Sequence, residues 1–118
     1  MSKLIHDRTQ PARCPFCSTE IVRPVEIEGG QWYEFAGGYC RCGAVFALDP
    51  TARNGGAVFL QTLLMVADGD MDRAMGLGEG VDYDCGYVKK YNVATHRLDP
   101  NAFATLYFVR RRDAAGEA

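Results

Sequence analysis

The sequence lacks a hydrophobic run long enough to cross a membrane, because no segment approaches the roughly 18 consecutive apolar residues that a membrane helix needs. The first ten residues also lack the apolar stretch of a secretory signal, since charged side chains surround Leu4 and Ile5. We therefore expect a cytoplasmic protein without membrane contact. Thiols are kept reduced in that compartment, so cysteines are better interpreted as ligands than as disulfides.

The chain also has a small net charge and few histidines. The 118 residues carry a formal net charge of −2, whereas a dedicated DNA-binding domain is usually basic. His6 and His96 are the only histidines, which leaves few choices for general acid–base chemistry. Hydrophobic residues make up 47% and charged residues 24% of the chain, a balance that favours a folded globular protein over disorder.

Cysteine, by contrast, is abundant and grouped. The motif Cys14-Pro15-Phe16-Cys17 is followed after 22 residues by Cys40-Arg41-Cys42-Gly43. Zinc prefers four ligands at the corners of a tetrahedron, and a Cys-x-x-Cys turn places two thiolates on one side of such a site. A β-hairpin in the intervening segment would return the second pair. The pattern therefore predicts one structural zinc ion bound by Cys14, Cys17, Cys40 and Cys42.

This arrangement resembles the zinc-ribbon family, in which a Cys-Pro-x-Cys turn, three short strands and a second turn ending in Cys-Gly enclose the metal. The resemblance covers about residues 12–48 and implies that the four cysteines are the metal ligands. Two features differ from the family pattern. Ser18 stands where the family often has glycine, and the Cys40-x-Cys42 spacing requires a tighter second turn.

Three alternatives to a four-cysteine zinc site stay open at this point. In the first, the cysteines are ordinary reduced thiols. In the second, iron replaces zinc in a rubredoxin-like site. In the third, His6 or His96 replaces one of the cysteines as a ligand. The fifth cysteine, Cys85, is a candidate redox or nucleophilic thiol. Its neighbours Asp82 and Asp84 disfavour that role, because nearby negative charge raises a thiol pKa.

The cysteine segment is expected to be mainly strand. Alternating polar and apolar residues predict strands over 20–23 and 25–28, interrupted by Pro24, and an aromatic strand over 31–35 after the turn at Gly29-Gly30. A hairpin would join these runs. Residues 43–48 predict a third strand before Asp49-Pro50.

The second half is expected to be mixed. An apolar run predicts a helix over 57–67, and Asp70 is placed to cap a short second helix. Tyr83, Tyr87 and Tyr91 recur every four residues, as on one helical face, although Gly86 weakens that interpretation. Asp99-Pro100 could begin a helix, whereas the run over 104–110 favours a strand.

These elements predict an α+β fold: a small antiparallel zinc ribbon packed against a short helical segment, closed by a C-terminal strand or helix. We divide the chain into a flexible lead-in over 1–10, the ribbon over 11–49, a helical and mixed segment over 50–112 that packs on it, and a tail over 113–118.

The first functional hypothesis is a non-enzymatic zinc-binding module that mediates protein contacts or self-association, with the apolar helix 57–67 as its candidate interface. The second is a nucleic-acid-binding accessory protein. It would use the ribbon hairpin and arginines: the hairpin aromatics Trp32, Tyr33, Phe35 and Tyr39, with Arg23 and Arg41, could stack on single-stranded bases. A separate candidate is a basic patch of Lys89-Lys90 and Arg110–Arg112, if the fold brings them together. The third is a redox or metal-dependent enzyme, which a closed four-thiolate site disfavours.

Overall fold

A computed structural model describes residues 8–28 and 33–112 of the chain. In these ranges the chain forms a six-stranded antiparallel sheet and two helices, which confirms the predicted α+β class. The elements in chain order are β1 (Gln10–Pro11), β2 (Gly37–Tyr39), β3 (Val45–Asp49), α1 (Gly55–Val66), α2 (Met71–Met75), β4 (Tyr83–Asn92), β5 (Arg97–Leu98) and β6 (Ala104–Arg111).

The sheet has the strand order β1-β5-β4-β6-β3-β2, with β6 between the long strand β4 and the buried strand β3. Gly86 and Phe46 both lie opposite Phe108 of β6, one in β4 and the other in β3. The strand that follows the second cysteine pair is therefore part of the same sheet as the C-terminal strand.

The core has two layers because each face of the sheet is covered by a different part of the chain. On one face α1 and α2 pack over Val45, Tyr83 and Val109. On the other face the N-terminal segment, including Ala12 and Cys14, packs over the aromatic and aliphatic side chains of β3 and β6. The cysteine segment thus forms one wall of the core.

Helix α1 confirms the predicted helix, with bounds two residues earlier at its start and one earlier at its end. Seven of its twelve residues are buried, which explains why the run is apolar on nearly every side. The predicted cap of α2 is also confirmed, since the Asp70 carboxylate accepts a hydrogen bond of 3.1 Å from the Arg73 amide. Among the described residues, no helix has both the length and the apolar character needed to cross a bilayer.

Three expectations about strands and helices were wrong in the described residues. Residues 20–28 form no strand and make only isolated pairings, Arg13 with Glu20 and Val25 with Gly37. Pro24 offers no amide donor to continue a ladder. The turn at 29–30 of the predicted hairpin lies outside the described residues, as does the start of its second strand, and the described remainder of that strand, residues 33–35, is not a strand.

The second error concerns the tyrosines, which lie on β4 rather than on a helix. A spacing of four residues also keeps side chains on one face of a strand, because the strand period is two. A bulge between Val88 and Tyr91 then turns Tyr91 toward the opposite layer.

The third error concerns Asp99, which caps no helix: its carboxylate accepts a 2.9 Å hydrogen bond from the Asn101 amide in a turn. The strand predicted over 104–110 is confirmed as β6.

A buried glutamine fixes the position of the chain before β2. Gln61 of α1 is only 1% exposed, and its side-chain oxygen accepts hydrogen bonds from the amides of Glu34 and Phe35 at 2.7 and 2.8 Å. Its side-chain nitrogen donates to the Phe35 carbonyl at 2.7 Å. One polar side chain therefore satisfies three backbone groups that no strand ladder reaches.

We predict that Gln61→Leu lowers the free energy of unfolding by about 2 kcal/mol, because it leaves these backbone groups unpaired. The measurement is urea denaturation followed by circular dichroism. Gln10→Leu is the matched control: the same change at an exposed residue should alter stability by less than about 0.5 kcal/mol. Equal effects of the two substitutions would contradict this role for Gln61.

Candidate metal centre

The first pair of cysteines lies in a tight turn closed by its own backbone. The Cys14 amide donates to the Thr19 carbonyl at 2.9 Å, and the Ser18 amide donates to the Cys14 carbonyl at 2.8 Å. The Phe16 amide donates to the Cys14 sulfur at 3.4 Å. Ser18 has a φ of 66°, in the left-handed region that favours glycine, so the departure from the family pattern falls on a strained position.

The second pair lies in a shorter turn that leads directly into β3. The Cys40 amide donates to the Ala44 carbonyl at 2.8 Å, and the Gly43 amide donates back to the Cys40 carbonyl at 2.9 Å. Gly43 has a φ of 98°, which glycine adopts without steric cost. This backbone reversal accommodates the Cys-x-Cys spacing.

The four sulfur atoms of Cys14, Cys17, Cys40 and Cys42 all lie within 4.8 Å of one another. Two contacts join the two turns: the sulfurs of Cys14 and Cys42 are 3.7 Å apart, and those of Cys17 and Cys40 are 3.5 Å apart. A tetrahedron with metal–sulfur distances of about 2.3 Å has edges of about 3.8 Å. The cluster could therefore hold a metal ion.

The sheet supports this cluster from one side. Cys14 is buried and the other three cysteines are half-buried against the layer that contains Phe46 and Phe108. Gly86 of β4 lies beneath the first turn, where an added Cβ would be 3.2 Å from a Pro15 side-chain carbon. The absence of a side chain at this mid-strand position lets the cysteine turn approach the sheet, a role that the sequence signalled only as a glycine inside a strand.

The four thiols are electrostatically unequal in the absence of an ion. Burial raises the pKa of Cys14 to about 12 and also raises the pKa of Cys40. Hydrogen bonds with Thr19 lower the pKa of Cys17 to about 6. Four adjacent thiolates repel one another, so a cation is needed to hold all of them deprotonated in this space.

Three arginines lie on or against the two cysteine turns. Arg13 and Arg41 are sequence neighbours of the cysteines, and the guanidinium carbon of Arg110 lies 4.9 Å from the centre of the Phe16 ring. The Arg110 Nε atom is buried and has no hydrogen-bond partner among the described residues. The sequence did not indicate that Arg110 belongs near the cysteines, because only the pairing of β6 with β4 places it there.

The histidine alternative finds no support at His96. Its Nδ1 is 2.7 Å from the Tyr91 hydroxyl and its Nε2 is 2.9 Å from the Ile21 carbonyl. Both ring nitrogens are therefore engaged away from the sulfurs. His6 lies outside the described residues.

The basic patch predicted from lysines and arginines does not assemble. Tyr83 pairs with Arg111, and Lys89 lies six residues further along β4, roughly 20 Å away for an extended chain. Arg112 pairs instead with Asp84, with a nitrogen–oxygen distance of 2.9 Å.

The predicted hairpin aromatics also separate. Tyr33 is half-buried, and its hydroxyl donates to the Leu64 carbonyl of α1 at 3.4 Å. Tyr39 is exposed, and Trp32 lies outside the described residues. These rings therefore do not form one base-stacking platform in the part of the chain that the structure describes.

Cys85 is not part of the four-sulfur cluster and is poorly suited to act as a nucleophile. Its thiol donates to a Glu79 carboxylate oxygen at 3.1 Å. Burial, this hydrogen bond and the negative charge of Glu79 raise the pKa of Cys85 to about 11. Since the thiolate is the reactive form, Cys85 stays largely protonated at neutral pH.

We predict that iodoacetamide alkylates Cys85 at pH 8 about 100-fold more slowly than an unshifted thiol, because so little thiolate is present. The rate should still be rising as the pH approaches 11, the pKa of the shifted thiol. Glu79→Gln should lower that pKa and accelerate alkylation, whereas the control Glu20→Gln should leave it unchanged. Peptide mass spectrometry measures the modification. Fast alkylation of the unsubstituted protein at pH 7 would contradict the assignment.

The geometry of the four cysteines is the main guide to the chemistry of this chain. Comparison of the chain with protein-family models, with curated proteins and with solved structures finds no significant match.

Proposed function

We propose that the chain is a non-enzymatic zinc-binding module in which Cys14, Cys17, Cys40 and Cys42 bind one structural Zn²⁺ in a zinc-ribbon-like site. The observation that carries this proposal is the mutual approach of all four sulfurs within 4.8 Å, with contacts of 3.5 and 3.7 Å between the two turns. Four thiolates are a common ligand set for structural zinc.

A structural role follows from what the ion would connect. The described N-terminal segment has only a two-residue strand and a few isolated pairings of its own. A bound ion would join this segment to the turn that precedes β3, and so fix one wall of the core. Four protein thiolates also fill a tetrahedral shell, which leaves no open position for a substrate or a catalytic water.

The surroundings fit a site that carries negative charge. Zinc with four thiolates has a net charge of −2, and Arg13 and Arg110 contact the first cysteine turn, at the Ser18 carbonyl and the Phe16 ring. Arg110 is the most informative of these, because its buried Nε has no other partner in the described residues. A nearby anionic centre stabilises a guanidinium held in such a position.

The predicted role in protein contacts or self-association stays part of this proposal, but α1 is a poor candidate for the contact surface. Seven of its residues are already buried within the chain, so the apolar run is largely used in the chain's own core. A partner would have to bind elsewhere.

We predict one zinc ion per chain in native mass spectrometry of protein purified under reducing conditions. Cys42→Ser should lower zinc occupancy strongly, because it removes one thiolate of the set. Cys85→Ser is the matched control and should leave zinc occupancy unchanged. A coloured protein that contains iron would reject zinc as the metal, and full zinc occupancy in Cys42→Ser would reject the ligand set.

We also predict that chelation of the metal lowers the free energy of unfolding by more than about 3 kcal/mol, since zinc binding is coupled to folding in small zinc domains. Hydrogen exchange should localise the effect. The amides of Cys14 and Cys40, which are hydrogen-bonded in the two turns, should lose protection first, whereas the β4–β6 pairing should keep more of it. Unchanged exchange at both turns after complete metal removal would contradict a structural ion.

A further inference from the structure

Helix α1 covers only part of its face of the sheet. Tyr83 and Val109 lie beneath the helices, but the same strands continue past the start of α1 to Tyr87 and Tyr107. An open groove of about 450 Å³ lies there, and Ala52 of the loop before α1 forms its border. This groove is on the opposite face of the sheet from the four cysteines.

Three aromatic rings line the groove. Tyr87 is 56% and Phe103 is 68% exposed, and the ring of Tyr107 lies 6.3 Å from that of Tyr87, centre to centre. Scattered exposed apolar residues are ordinary, but a cluster of exposed rings around one concavity is typical of a binding surface. We call this surface the aromatic groove.

The aromatic groove is also basic. Lys89 and Lys90 line it, and Arg53 lines the adjoining cavity beside Phe103. None of these three cations forms an ion pair with a described residue. No carboxylate lines the groove or the two cavities adjoining it at Phe103, although the chain has 15 Asp and Glu residues.

The β-bulge explains how Lys89 and Lys90 both line the groove, although neighbouring residues of a regular strand face opposite sides of the sheet. Lys90 has a φ of 64°, and the pairing of β4 with β6 shifts between Val88 and Tyr91. The Lys89 ammonium lies 5.3 Å from the centre of the Tyr87 ring, so cation and ring are within reach of the same ligand.

We propose that the aromatic groove binds single-stranded nucleic acid. Unpaired bases would stack on Tyr87 and Phe103, while the lysines and Arg53 would contact phosphates, the combination used by proteins that bind single strands without sequence preference. An acidic peptide would use the cations but not the exposed rings, and paired bases in a duplex could not stack on them. This inference goes beyond the zinc proposal and does not depend on it.

The test is fluorescence anisotropy of the full chain with a labelled oligothymidylate of about twelve nucleotides at low salt. Tyr87→Ala and Phe103→Ala should each weaken binding about 10-fold, because stacking on a ring is lost. Lys89→Ala should reduce the dependence of log K on log salt by about 0.7. Tyr39→Ala is the matched control, since Tyr39 is 57% exposed but lies on the edge strand β2.

Several results would overturn the proposal. These are the absence of saturable binding, equal affinity for a duplex, equal competition by polyglutamate, or an effect of Tyr39→Ala as large as that of Tyr87→Ala. Tyr87→Phe keeps the ring and should bind like the unsubstituted protein. Phe103 is so exposed that its replacement should not impair folding, so the test stands even if Tyr87→Ala misfolds.

Discussion

The approach of two cysteine pairs from separate turns is the constraint on which the N-terminal half depends. The first turn has few backbone hydrogen bonds to the rest of the chain, and the second is continuous with the buried strand β3. Contact between the two pairs therefore links the order of the N-terminal segment to that of the turn before β3. An ion at the meeting point would make this contact strong, whereas four thiols alone would gain little from their mutual proximity.

The cysteine segment also depends on the sheet beneath it. β3 pairs along its length with β6, and β6 pairs with β4, so the surface under the cysteines is built from strands that are far apart in sequence. Phe46 and Phe108, whose ring centres lie 5.3 Å apart, contribute to that surface from neighbouring strands. The cysteine segment therefore needs the C-terminal strand as a support.

The sequence predicted features that rest on local chemistry. The spacing of the four cysteines predicted their convergence, and the apolar run and Asp70 predicted α1 and the cap of α2. The chemical identity of a bound ion is a different matter, because thiolates accept several metals and spacing alone does not select one.

Features that depend on tertiary pairing were not predicted. The four-residue spacing of the β4 tyrosines fits a strand as well as a helix, so periodicity could not decide between them. Gln61 stood in the sequence as one polar residue in an apolar run, but its partners at residues 34 and 35 are set by packing. The aromatic groove combines side chains from two loops and two strands, and no sequence window contains them together.

The alternation of side chains along β4 has a consequence for both surfaces of the molecule. Gly86 faces the cysteine turn and Tyr87 faces the groove, although they are adjacent in sequence. A slip of β4 by one residue against β6 would exchange these faces: in one direction it would place the Tyr87 ring against Pro15 and Val88 in the groove. The register that pairs Gly86 with Phe108 therefore determines which side chains line both surfaces, although these surfaces lie on opposite faces of the sheet.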